Sequence, residues 1–170
     1  MRKFVKGFLC DKMTILSNDL LNKLRTCNSI FYEFYESLVE PVYSDEIPTA
    51  CVIFDVDDQE RNVKFLINKD FWDTLSIHEQ FFVFVHECLH VLLLHGKRGQ
   101  DFMKSLPENK RYSKVLHISM DICINEMILE QFTDFPLKAH KNLESLLCTI
   151  ETCFPSSWKT IKRDESFEYY

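Results

Sequence analysis

The sequence predicts an α+β domain, with helices packed on a small antiparallel sheet. Three observations predict it. Two short β-branched and aromatic runs flank one polar turn. Three longer stretches carry apolar residues at helical spacing. The order is helix, hairpin, helix, loop, helix rather than a regular alternation of strand and helix. The 170 residues suit one domain over 1–170. Within it we expect an N-terminal helix in 1–41, a core over 49–132 and a C-terminal extension over 133–170.

Residues 17–40 read as one amphipathic helix. Ser17 or Asn18 caps it, and Leu20, Leu21, Leu24, Ile30, Phe31, Phe34, Tyr35 and Leu38 form its apolar stripe. Pro41 ends it, and Val42 to Pro48 reads as a turn-rich connection. Residues 49–56 and 63–68 read as strands joined by the polar turn Asp57 to Asn62, an antiparallel hairpin. Ser76 and Glu79 form a capping box that opens a helix running to His95. Gly96 is placed to terminate that helix, with Lys97 and Arg98 near the negative end of its dipole. The polar stretch 97–110, with Gly99 and Pro107, reads as a loop. A third long helix spans 111–132, and Pro136 precedes a further helical stretch over 137–150.

Composition removes several classes of function. The net charge is −6 and the pI is near 5.5. An acidic chain lacks the basic surface of a nucleic-acid binder. With 3 Gly, neither GxxxxGK[ST] nor GxGxxG occurs, so no glycine-rich phosphate loop is present. The 7 Cys are odd in number, contain no CxxC pair and mostly sit among apolar residues. They read as reduced, buried thiols rather than a disulfide framework. The stretch Phe81 to Leu94 is interrupted by His86, Glu87 and His90, and it is too short and polar to span a bilayer. Lys6, Asp11 and Lys12 break the N-terminal apolar run, so it makes a poor secretory signal. The expectation is a cytoplasmic protein with no membrane or nucleic-acid partner.

One chemical signal stands out: His86-Glu87-Cys88-Leu89-His90, an HExxH motif. On a helix, His90 lies about 40° from His86 and one turn further on. Two imidazoles at that spacing suit one tetrahedral ion such as Zn²⁺. Glu87 flanks both, where a general base for a water at the ion belongs. With this chain's 6 His and 14 Glu, chance alone gives about 0.02 such motifs. Burying these groups on an apolar helix costs several kcal/mol unless something pairs with them.

A catalytic zinc wants a third protein ligand and an open position. Asp121, with Asn125 one turn later, offers a carboxylate and a group that orients a ligand His. His95 is the alternative; on a straight helix it sits about 140° from His90, and Gly96 comes one residue too late to bend it inward. His117, one turn before Asp121, is a third possibility, as ligand or as support for one. Tyr112, His117 and Arg98 are candidate donors to an oxyanion. Arg98 reads better as a helix cap or the partner of a carboxylate.

The run Val63-Lys-Phe-Leu-Ile-Asn, then Phe71-Trp72, then His86-Glu-Cys-Leu-His90-Val-Leu-Leu-Leu-His95-Gly-Lys-Arg98, resembles the metallopeptidase domain that commonly precedes a von Willebrand factor A-like domain in bacterial and phage proteins. Its pattern is HExxHxxxxHxxR, followed by a helix with Asp and, four residues later, Asn. Ile118-Ser-Met-Asp121-Ile-Cys-Ile-Asn125 matches the second element, and Ser166-Phe-Glu-Tyr-Tyr170 is a weaker echo. The chain departs from it at His117, Ser119 and Met120. The resemblance implies a zincin-like core, a zinc ion held by His86, His90 and Asp121, and hydrolysis of a peptide or protein substrate with Glu87 as base. It also implies a unit standing nearly alone, where longer relatives continue toward a second domain.

Two rivals remain at this level. One is a catalytically silent metal-binding protein that acts through a protein partner, with Phe31, Tyr32, Phe34 and Tyr35 as a docking stripe. The intact Glu87 argues against a purely structural site, which would favour four protein ligands. The other is an enzyme that acts on a non-peptide amide or as a deaminase, and the chain lacks the paired Cys ligands of zinc deaminases.

Overall fold

A computed structural model describes residues 15–54, 63–132 and 147–170. Among these residues the architecture is α+β, with helices on one mixed three-stranded sheet. The helix expected over 137–150 and the turn over 57–62 lie mostly or wholly outside the described residues.

The N-terminal stretch forms two helices rather than one, α1 (Asn18–Cys27) and α2 (Ser29–Leu38). Ser17 caps α1 by accepting from the Leu20 N–H. Asn28 breaks the run with φ −160°. Its side chain accepts from the Ile30 N–H, while its own N–H bonds the Leu24 carbonyl. One Asn thus satisfies the end of α1 and the start of α2, because its short side chain competes with helix continuation. Phe31, Phe34 and Tyr35 are buried in the core, so they are not a docking stripe.

Pro41 does not simply end a helix. It lies within a strand the sequence reading missed, β1 (Val39–Tyr43). With β2 (Ala50–Phe54) and β3 (Val63–Ile67) the order is β1-β3-β2; β2 pairs antiparallel with β3, as the hairpin predicts, and β1 pairs parallel. The sheet is therefore mixed rather than purely antiparallel. Pro41 is tolerated because β1 is an edge, where a missing N–H faces no neighbour. Val63, Phe65 and Ile67 alternate inward. Phe65 meets Phe84 and Trp72 edge-to-face at 5.3 and 6.0 Å, contacts of about 0.5–1.5 kcal/mol each beyond burial.

A short helix, α3 (Lys69–Asp73), is capped by Asn68 and buries Trp72. The capping box at Ser76 and Glu79 opens α4 (Ile77–Leu92). Phe81, Phe82, Phe84, Val85, Cys88, Leu89 and Val91 bury one broad face of α4 against the sheet, α1 and α2.

The end of α4 differs from expectation. Gly96 is not its terminator, since neither described glycine has a positive φ; Leu94 takes the left-handed conformation instead, with φ 54° and ψ 34°. The chain turns by 55° and continues as α5 (His95–Ser105). Most of the expected loop 97–110 is thus helical, with a 3-10 turn at Glu108–Lys110. Gly99 has a packing reason to be there, whereas Gly96 faces open space. A Cβ at Gly99 would meet Met120 Cε at 2.4 Å, so the missing side chain lets α5 approach the next helix. That helix, α6 (Ser113–Gln131), matches the third expected helix and packs against α4 and α5.

The last described segment holds α7 (Ile150–Cys153) and a 3-10 turn at Trp158–Thr160. Ile150 and Phe167 are buried there, as is Ile122 of α6. Glu126 of α6 accepts from the Ile150 N–H at 2.9 Å and pairs with Arg163. Of the described cysteines, all are free but only Cys88 is fully buried. Among the described residues no single helix is long and apolar enough to cross a membrane.

Candidate metal centre

Three elements supply the site. α4 contributes His86, Glu87 and His90, because the HExxH spacing sets them on one side of a helix whose opposite side is core. α6 crosses α4 and brings Asp121 and Asn125, one turn apart. The β2 edge lies beside α4.

His86, His90 and Asp121 converge, with one ligand atom from each within 4.8 Å of the others, and could hold a metal ion. The two Nε2 atoms are 3.0 Å apart. Asp121 Oδ1 is 3.5 Å from His86 Nε2 and 3.3 Å from His90 Nε2. Asn125 decides the His86 tautomer. Its Nδ2 donates to the Cys148 carbonyl at 2.9 Å, so Oδ1 faces His86 Nδ1 at 2.8 Å and can only accept. His86 Nδ1 therefore carries a proton, and the neutral ring presents its Nε2 lone pair to the cluster. Two imidazole nitrogens and a carboxylate oxygen this close need a cation among them, a proton or a metal ion. The donor set of two imidazoles and one carboxylate, with Asp121 about one-third exposed, fits an open metal site.

The charges reflect this crowding. Burial alone would lower the His86 pKa, but the hydrogen bond that the protonated ring donates to Asp121 and the charges of Glu87 and Asp121 carry it above its ordinary value. Asp121 is also desolvated, yet its hydrogen bonds to His86 and His90 hold its carboxyl far below the usual range. Burial raises the Glu87 pKa, against the opposing pull of His86 and His90.

Glu87 has a backbone partner that the sequence reading did not foresee. Its Oε2 accepts from the Val52 N–H at 3.1 Å. The Asn68 N–H bonds the Thr49 carbonyl, and hydrogen bonds alternate along an antiparallel pair. The polar groups of Ala50 and Val52 consequently point outward from the free side of β2, and one of them anchors Glu87.

His95 is not part of the converging trio. The turn at Leu94 does bring it inward, contrary to the straight-helix expectation, but behind His90. Its Nδ1 lies 3.2 Å from His90 Nδ1, on the ring edge opposite the cluster. Burial first, then His90 and Arg98, lower its pKa to about 4, so it is neutral. His117 is exposed, outside the trio, on the wall of the larger cavity. Arg98 donates to both carboxylate oxygens of Glu168 at 2.8 Å and to the Leu93 carbonyl at 3.3 Å, so it is both a helix-end cap and a carboxylate partner. Tyr112 lines neither cavity beside the trio.

Two cavities meet at the trio. One, of about 950 Å³, runs along β2 and is walled by Lys97, Gln100 and His117 on the opposite side. The other, of about 160 Å³, is lined by Phe71, Phe82, Val83 and Leu147. The sequence carried no direct signal for Val52 or for the Cys148 carbonyl, because both act through the main chain.

Fold and site together describe an α+β domain with an HExxH centre open to a groove. Residues 55–160 match the family described as "putative metallopeptidase domain"; this is more than half of the 170 residues, and the chain belongs to that family. No curated protein and no solved structure matches the chain.

Proposed function

We propose that this protein is a zinc-dependent peptidase with a zincin-like core, acting on a peptide or protein substrate. The observation that carries the reading is the pairing of an open His86–His90–Asp121 trio with a half-buried Glu87 tied to the β2 edge. When bound by these three residues, a zinc ion would bring the pKa of a water toward about 7 and polarise the scissile carbonyl.

The chain's own residues do the rest. Asn125 holds His86 with Nε2 toward the ion. The Val52 N–H holds Glu87 Oε2, which leaves Oε1 to take a proton from the attacking water. The raised pKa of Glu87 suits it to hold that proton and deliver it to the leaving amine. The outward carbonyls of Ala50 and Val52 can accept from the main chain of an extended peptide laid beside β2. A substrate side chain fits the small apolar cavity between Phe82 and Leu147.

Glu87→Gln tests this reading. The variant should bind one zinc per chain like the parent and lose at least about 100-fold in peptide hydrolysis. Hydrolysis at the parent rate by this variant would remove Glu87 from the mechanism. A parent protein that purifies and titrates without metal would remove the zinc.

A further inference from the structure

His95 is the most deeply placed polar group behind the trio, with about 1% of its surface exposed. Its Nδ1 faces His90 Nδ1, while its Nε2 has no hydrogen-bond partner among the described residues. Two nitrogens 3.2 Å apart hold one proton between them. When His90 presents the Nε2 lone pair to the trio, that proton belongs to His90 Nδ1 and His95 accepts it. His95 then carries its own proton on Nε2, buried and unbonded.

Such an arrangement costs free energy and persists only if the ring is held from outside. The C-terminal segment supplies the hold. The Phe167 ring, almost fully buried, meets the His95 ring edge-to-face at 5.2 Å and Phe102 at 6.1 Å. The Arg98 guanidinium covers the Phe167 ring at 4.7 Å and donates twice to Glu168, the next residue. Through the Leu93 carbonyl, Arg98 also ties this packing to the turn that aims His95.

Resting on the metal reading above, we propose that His95 is a positioning residue that fixes the His90 ring by accepting its Nδ1 proton, and that the strap Ser166–Tyr170 holds His95 in place through Phe167 and the Arg98–Glu168 pair. His86 and His90 would thus be oriented by different parts of the chain. Asn125 of α6 holds the first. An imidazole clamped by the C-terminal segment holds the second. Support of this kind is worth about 10–100-fold in metal affinity.

Cobalt(II) titration of the full chain, read by visible absorption, measures that affinity without any substrate. His95→Phe keeps an aromatic ring against Phe167 and removes the acceptor; it should weaken cobalt binding about 10–100-fold. His95→Asn places an amide oxygen near the Nδ1 position and should recover most of the loss. Phe167→Ala touches no member of the trio and should weaken binding at least about threefold. Thermal unfolding of the metal-free variants separates this from a loss of fold, because a purely structural His95 would show no recovery by Asn at matched stability. Parent-like cobalt affinity in both His95→Phe and Phe167→Ala overturns the positioning role alone. A parent chain that takes up no cobalt overturns the metal reading and this role with it.

Discussion

Asn125 Oδ1 accepts from His86 Nδ1 at 2.8 Å, and the same amide donates to the Cys148 carbonyl. With about 2% of its surface exposed, Asn125 links the orientation of a proposed ligand to the backbone entering α7. Asn125→Leu, close in volume, should therefore do two things at once. Metal affinity should fall about 10–100-fold, and stability should fall by about 1–3 kcal/mol because the Cys148 carbonyl loses its donor. Asn125→Asp keeps an acceptor for His86 but not the donor, so it should lose stability and keep most of the affinity. Metal titration and denaturant unfolding read the two effects separately; Asn125→Leu with undiminished affinity would show that His86 needs no such hold.

Metal binding should depend on pH in a predictable direction. Asp121 and Glu87 hold the metal-free His86 pKa above its ordinary value of about 6.5. Protons therefore compete for the trio already near neutral pH. Zinc affinity should rise from pH 5.5 to 8, with proton release that is largest at the acidic end. Isothermal titration in buffers of different ionisation enthalpy counts those protons. Affinity constant across that range would mean that His86 is not titrated by the ion.

The break between α4 and α5 can be tested at one residue. Leu94 adopts a left-handed conformation, which costs a non-glycine residue about 1–2 kcal/mol. Leu94→Gly removes that strain but adds freedom to the unfolded chain, so the melting temperature should hold or rise slightly. Leu94→Val, whose branched Cβ suits this region poorly, should lower it by several degrees. A thermal scan that ranks Val above Gly would contradict the observed turn.

Glu126 should matter for stability alone. It is buried, accepts from the Ile150 N–H and pairs with Arg163. Glu126→Leu leaves that N–H unpaired and should cost about 1–3 kcal/mol in a urea denaturation series. A midpoint equal to that of the parent would show that the segment finds another acceptor.

Much of this protein is readable from local pattern. The capping box at Ser76, the HExxH spacing of α4, the apolar pattern of α6 and the hairpin formed by β2 and β3 appear where the sequence predicts them. Each depends on geometry within a turn or between adjacent strands, which a few neighbouring residues determine. The pairing of Asp121 with Asn125 was legible for the same reason, since i and i+4 share one helix face.

Tertiary structure decided the rest. Asn28 and Leu94 break what periodicity reads as continuous helix, the first by capping α2 with its own side chain, the second by a left-handed turn that local propensity disfavours. Gly99 looks like a loop residue and is instead a close approach of α5 to α6. Pro41 lies in a strand because β1 completes an edge beside β3, more than twenty residues away in sequence. The roles of Val52, Cys148 and Phe167 were invisible for a simpler reason. Main-chain donors and acceptors are the same at every residue, and which of them meets Glu87 or Asn125 depends on how distant segments pack. The sequence alone determined which side chains could hold an ion. Only the packed chain decided that His86, His90 and Asp121 meet while His95 stands one ring behind them, because a 55° turn between α4 and α5 is a product of tertiary packing and not of helical period.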